Sequence, residues 1–209
     1  MKQGMLRCGL VISLGLAAAG CWWNGSNQRP TTKVAAVNDA TSLAAVQSAR
    51  IDRGKYLVTI TSCGDCHTPF KMTERGPVPD QSRMLSGHPA GFEVGKAPDL
   101  GKGPWVWAGV GTNTAFAGPW GITYAINLTP DKVSGLGGGG WDEARFIKAM
   151  RTGKHFGEAR PILPPMPWQG LSQATDEDLK SIWAYLQTVP AVKNEVPSAV
   201  VNPPPGAPR

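Results

Sequence analysis

Two thiols and an imidazole stand within five residues at Cys63-Gly64-Asp65-Cys66-His67. A C-x-x-C-H run attaches a c-type haem: the thiols are spaced to add across the two vinyl groups of one porphyrin, and the following histidine is held beneath the ring to bind the iron. Two other chemistries use C-x-x-C. A redox disulfide sits in a βαβ context and has no need of a following histidine. A structural zinc needs four ligands, and the chain has no second C-x-x-C and no H-x-H pair. The motif therefore reads as the covalent site of one haem c, with Cys63 and Cys66 as tethers and His67 as the fifth iron ligand.

The sixth ligand decides what such an iron does. The candidates are Met72, Met84, Met150, Met166, His88 and His155. A methionine is most often core filler. Met72 lies too close to Cys66 to reach the opposite face, and Met150 falls on the apolar stripe of a helix. Met166 differs, because Pro165 and Pro167 flank it and restrict the chain. That arrangement pre-sets a soft thioether over a metal, so Met166 is the expected partner of His67, with His88 and His155 as the alternatives. A thioether raises the potential and closes the site to outside ligands, which suits single-electron transfer. An open or displaceable sixth position would suit a peroxidase-like enzyme or a haem-based sensor.

Three helices are predicted to position these groups. The first spans 48–61, with Ser48 as cap and Ile51, Leu57 and Val58 on one side, and runs straight into Cys63. The second spans 141–152 and stops at Gly153. The third opens at Thr175, carries Asp176, Glu177 and Asp178 at its positive end, and buries Leu179, Ile182, Trp183 and Leu186 at i, i+3, i+4 and i+7 before Pro190. Between Thr68 and Pro130 no long helical period appears. Pro, Gly and Trp punctuate this stretch, and it reads as an irregular loop wrapped around the cofactor. Short strands near Trp105–Val110 and Ile122–Asn127, with Gly111-Thr112-Asn113 turning between extended segments, fit within it. Glycine and proline, 26 and 19 of 209 residues, together make up about a fifth of the chain against ~12% in average usage.

Residues 1–20 read as an export signal. Lys2 and Arg7 precede an apolar run, Leu10 to Ala19, that is shorter than the ~20 residues a bilayer requires. Ala18-Ala19-Gly20-Cys21 resembles the bacterial lipoprotein box, so Cys21 is the expected lipidation site, anchoring an exported, periplasmic domain to a membrane. Residues 21–48 read as a flexible tether, 49–192 as the haem domain, and 193–209, with Pro203-Pro204-Pro205, as a disordered tail. The net charge is +6 without any dense Lys/Arg run, which gives nucleic-acid binding no support. No nucleophile–base pair with a recognisable motif occurs, so no catalytic residues are assigned.

Taken together, Arg53-Gly54-Lys55-Tyr56-Leu57 followed by the haem motif resembles the start of bacterial class I-type cytochrome c domains. Three further segments, Asn127-Leu128-Thr129-Pro130-Asp131, Phe146 to Gly153, and Leu163-Pro164-Pro165-Met166-Pro167-Trp168, are similar to the cytochrome subunits of membrane-bound alcohol and gluconate dehydrogenases. The resemblance covers roughly residues 49–192. It implies an all-α cytochrome c-like fold, terminal helices that cross at Gly54, and Met166 as distal ligand. Those subunits usually carry three haem motifs, and this chain has one. The expected role is a non-enzymatic carrier that takes an electron from a periplasmic dehydrogenase and passes it to another cytochrome or an oxidase.

Overall fold

The computed structural model describes residues 39–202. The export signal, Cys21 and Pro203-Pro204-Pro205 lie outside them. Helix α1 spans Asp39–Ile60. It starts nine residues before the predicted cap Ser48, and most of its added N-terminal stretch is exposed, Leu43 at 64% and Val46 at 60%. Helix α2, Cys63–His67, holds the whole haem motif. Helix α3 spans Glu143–Thr152, helix α4 Trp168–Leu171 and helix α5 Asp176–Leu186.

The caps explain these boundaries. The Asp142 carboxylate accepts the Arg145 amide at the start of α3, and the Thr175 hydroxyl accepts the Asp178 amide at the start of α5. Gly153 ends α3 in the left-handed conformation, with φ 65°.

Helices α1 and α5 cross at Gly54. A Cβ placed there would lie 1.9 Å from the Ser181 carbonyl oxygen and 2.7 Å from Tyr185 Cβ, so only glycine lets the two backbones approach this closely. Leu57 and Val58 from α1 then meet Leu179, Ile182 and Leu186 from α5, and Phe146, Ala149 and Met150 of α3 close the same core. Arg50–Glu177 at 3.3 Å and Arg53–Asp178 at 3.0 Å flank the crossing. These pairs are solvent-exposed and add little energy, so apolar burial holds the crossing.

The all-α expectation is wrong. Six strands accompany the five helices among the described residues, in two antiparallel sheets. Strands β1 (Phe70–Thr73) and β2 (Gly76–Pro79) form a hairpin with Phe70 opposite Pro79. Strands β3 (Ala108–Gly109), β4 (Ala115–Gly118), β5 (Gly121–Tyr124) and β6 (Val200–Val201) make a four-stranded sheet in that order. The supposed irregular wrapping loop is therefore partly sheet. Its peptide groups have no helix to satisfy them, and where the chain is buried they pair across hairpins instead. The turn at Gly111-Thr112-Asn113 is present, closed by Asn113 N–H to the Val110 carbonyl at 2.8 Å, but it joins β3 to β4.

The tail is a second correction. Residues 193–202, expected to be disordered, lie on the domain. Asn194 is buried: its Nδ2 donates to the Ser86 and His88 carbonyls at 2.7 and 2.8 Å, and its Oδ1 accepts from Arg83 Nη2 and the Ala90 amide, both at 3.0 Å. Val200 and Val201 then pair with Ile122 and Gly121. The low hydrophobicity of the tail misled because these contacts are made by one amide side chain and by backbone.

Candidate haem-attachment site

The site begins where α1 ends. Thr61 donates its hydroxyl to the Leu57 carbonyl at 2.8 Å and lies 3.3 Å from Cys63 Sγ. Ser62 takes a left-handed turn, φ 57°, and the chain re-enters helix at once. One turn of helix puts Cys63 and Cys66 three residues apart on neighbouring positions of one face. Both are free thiols. Burial pushes both thiols upward from their ordinary range, with the Asp65 charge adding to the effect, so neither is held as a thiolate.

His67 is 7% exposed. Its Nδ1 lies 2.8 Å from the Ile126 carbonyl oxygen. A carbonyl only accepts, so Nδ1 carries the proton and Nε2 keeps its lone pair. Desolvation holds the imidazole below its ordinary pKa and so favours the neutral form, against the opposing pull of the Ile126 carbonyl. The carbonyl is itself fixed. Asn127, 2% exposed, accepts from the Thr129 amide and hydroxyl at 2.9 and 2.7 Å and donates to the Val192 carbonyl at 2.7 Å. On the other side, the Gly87 amide donates to the His67 carbonyl at 2.7 Å, and the Leu85 amide to the Thr68 hydroxyl at 3.0 Å.

These residues fit a c-type haem. Two neutral thiols, a neutral imidazole with an uncommitted Nε2, and partly buried apolar side chains packed on one core are the groups it requires. Cys63, Met84, Ile126, Trp141, Ile162 and Met166 all lie on that core without being fully covered by protein. Zinc finds no such set: among the described residues no cluster of three or more His, Cys, Asp or Glu gathers.

The six distal candidates separate. Met72 is 74% exposed on β1, and Met150 is buried in α3 as core. Met84 packs partly buried against the core. His88 is fully buried with both nitrogens engaged: Nε2–H donates to the Phe92 carbonyl at 2.8 Å, which leaves Nδ1 to accept from the Thr114 hydroxyl at 2.9 Å. It is a structural histidine. His155 sits edge-on to Trp141 with ring centroids 5.4 Å apart, and burial, with a smaller push from Arg160, lowers it to about 4.

Met166 lies in the turn before α4, partly buried against the same core as Cys63. The Ile126 carbonyl, the role of Asn127, and Asn194 escaped sequence reading. The first is a backbone atom with no residue-type signature. The Asn127-Leu128-Thr129-Pro130 run is an Asx-turn pattern that marks the second.

No protein-family profile matches the chain. Its homologues are cytochrome c subunits of dehydrogenases. The cytochrome subunit of fructose dehydrogenase from Gluconobacter japonicus is 28% identical over 70% of this chain and 24% of its own length. The cytochrome c subunit of gluconate 2-dehydrogenase from Pantoea cypripedii is 38% identical over 33% of this chain and 15% of its own length. The cytochrome c subunit of the quinone alcohol dehydrogenase of Gluconobacter oxydans is 24% identical over 66% of this chain and 21% of its own length. The chain thus spans about a quarter or less of the curated relatives it matches.

Proposed function

We propose that this chain is a single-haem electron-transfer cytochrome c, with Cys63 and Cys66 as covalent tethers and His67 and Met166 as axial ligands. The observation that carries the reading is His67: buried, held by Ile126 in the tautomer that frees Nε2, and set beside two free thiols. When bound, the haem supplies reversible one-electron chemistry. The protein's part is to orient the imidazole, exclude water and keep the distal position filled.

The dehydrogenase relatives support a dehydrogenase as electron donor, with another cytochrome or an oxidase as acceptor. No helix among the described residues is long and apolar enough to cross a membrane. We assign membrane attachment to a lipid on Cys21 of the exported chain, which leaves the domain on the periplasmic face with its donor.

The test is a redox titration of the holoprotein with its absorption spectrum. Wild type should show the near-infrared band of methionine-ligated ferric haem and bind cyanide or carbon monoxide slowly. Met166→Ala should lose that band, lower the midpoint potential and open the iron to both ligands. An unchanged potential in Met166→Ala would refute the ligand assignment. Rapid peroxide turnover by the wild-type protein would favour the enzyme reading over the carrier.

A further inference from the structure

The segment that carries Met166 is poorly supplied with hydrogen bonds of its own. Pro164, Pro165 and Pro167 have no amide hydrogen, and the Met166 amide reaches only the Leu163 carbonyl, at 3.4 Å. Its position must be set from its flanks.

Both flanks dock on the end of α3. On one side the Ile162 amide donates to the Gly153 carbonyl at 2.8 Å. On the other, the indole of Trp168 lies flat against Gly153. A Cβ on Gly153 would fall 2.3 Å from Trp168 Cε2 and 2.4 Å from Cζ2, so the ring fills the space that a side chain would take. The Trp168 amide donates to the Met166 carbonyl at 2.9 Å, which couples the indole to the methionine within one short turn. Arg151, also on α3, braces the far end by donating to the Ser172 carbonyl and, at 2.6 Å, to Asp176.

We propose that Trp168, seated on Gly153, is the positioning residue that keeps Met166 on the iron. The inference rests on the reading of Met166 as distal ligand. Gly153 matters twice: its φ of 65° ends α3, and its bare Cα forms the seat. Without the indole, the proline-rich turn keeps its stiffness but loses its reference point. The thioether then leaves the iron more often, while the rest of the domain stays folded.

The test uses holoprotein variants Trp168→Ala, Trp168→Leu and Trp168→Phe, with Met166→Ala and Gly54→Ala as controls. Imidazole, an outside ligand that competes with the thioether, reports the open fraction, since apparent affinity scales with the population of the binding-competent state. Trp168→Ala and Trp168→Leu should bind imidazole about tenfold more tightly than wild type. They should also lose most of the near-infrared methionine band and show a lowered potential. Trp168→Phe, which keeps a flat ring for the seat, should restore band and affinity toward wild type.

Gly54→Ala loosens the α1–α5 crossing rather than this turn and should tighten imidazole far less than Trp168→Ala. If it tightens imidazole as much as Trp168→Ala, the effect is general loosening and the positioning role fails. Unchanged band and affinity in both Trp168→Leu and Trp168→Ala would also overturn it. Should Trp168→Ala not fold, Trp168→Leu decides. If Met166→Ala itself keeps the band and potential, the ligand reading falls first and this inference with it.

Discussion

Substituting Gly54 by alanine tests the crossing on which the haem domain is built. The new Cβ would sit 1.9 Å from Ser181 O, 2.6 Å from Ser181 C and 2.7 Å from Tyr185 Cβ. The first two atoms are backbone and the third is fixed to it, so no side chain can swing aside. Relief to ordinary contact requires α1 and α5 to part by about 1.5 Å. Leu57, Val58, Leu179, Ile182 and Leu186 meet at this crossing. Each buried side chain is worth about 2 kcal/mol, and a gap of this order forfeits roughly a third of that, or about 3 kcal/mol in all. Alanine returns about 1 kcal/mol of helix propensity, leaving a net loss of about 2 kcal/mol.

Urea unfolding of the purified holoprotein should register this as a midpoint lowered by about 1 M, for a slope near 2 kcal/mol per M. Gly64 is the matched control. It is also helical, but a Cβ there meets only Thr68 Oγ1, at 3.6 Å, so Gly64→Ala should be neutral or stabilising. If Gly54→Ala proves as stable as wild type, the close crossing is not what holds these helices together.

Two other expectations follow from the same reasoning. Folding holds His155 down to about 4, whereas in the unfolded chain it titrates near 6.5. As pH falls through that window the unfolded state takes up a proton that the folded state refuses, so stability should drop by about 1–2 kcal/mol after discounting for the ring's partial solvent access. Denaturation midpoints across that pH range should show the slope, and His155→Phe should flatten it. For the N terminus, Cys21→Ser should move the protein from the membrane pellet to the soluble fraction on cell breakage; wild type already in the soluble fraction would refute the lipid anchor.

Helices α3 and α5, and the part of α1 that crosses α5, were legible because each is announced by local chemistry. Thr175 and the acidic triplet mark the start of α5, Asp142 and Gly153 bound α3, and Gly54 signals a close approach before its partner is known. The strands were only partly legible, for the converse reason. The short strands expected near Trp105–Val110 and Ile122–Asn127 correspond to β3 and β5, whereas β6, two residues long and too short for any period, finds its partner across nearly eighty residues. The haem motif is read directly from residue type and spacing. The group that orients His67 is a backbone carbonyl, and the amide that pins the 83–90 segment is Asn194, 104 to 111 residues further on. Such groups acquire meaning only in three dimensions. The length of α1 escaped because Ala44, Ala45 and Val46 carry no apolar face that the domain buries.

The Gly54 crossing also has a consequence in time. Arg53 and Asp178, which flank it, are 125 residues apart. A chain that emerges from its N terminus therefore presents Cys63, Cys66 and His67 long before α5 exists to complete the core beside them. Bringing such distant segments together is entropically slow, and no local contact can substitute for it. In that interval the two thiols lack the core that later packs against Cys63, so the distance in sequence between the two crossing helices sets when that thiol is covered.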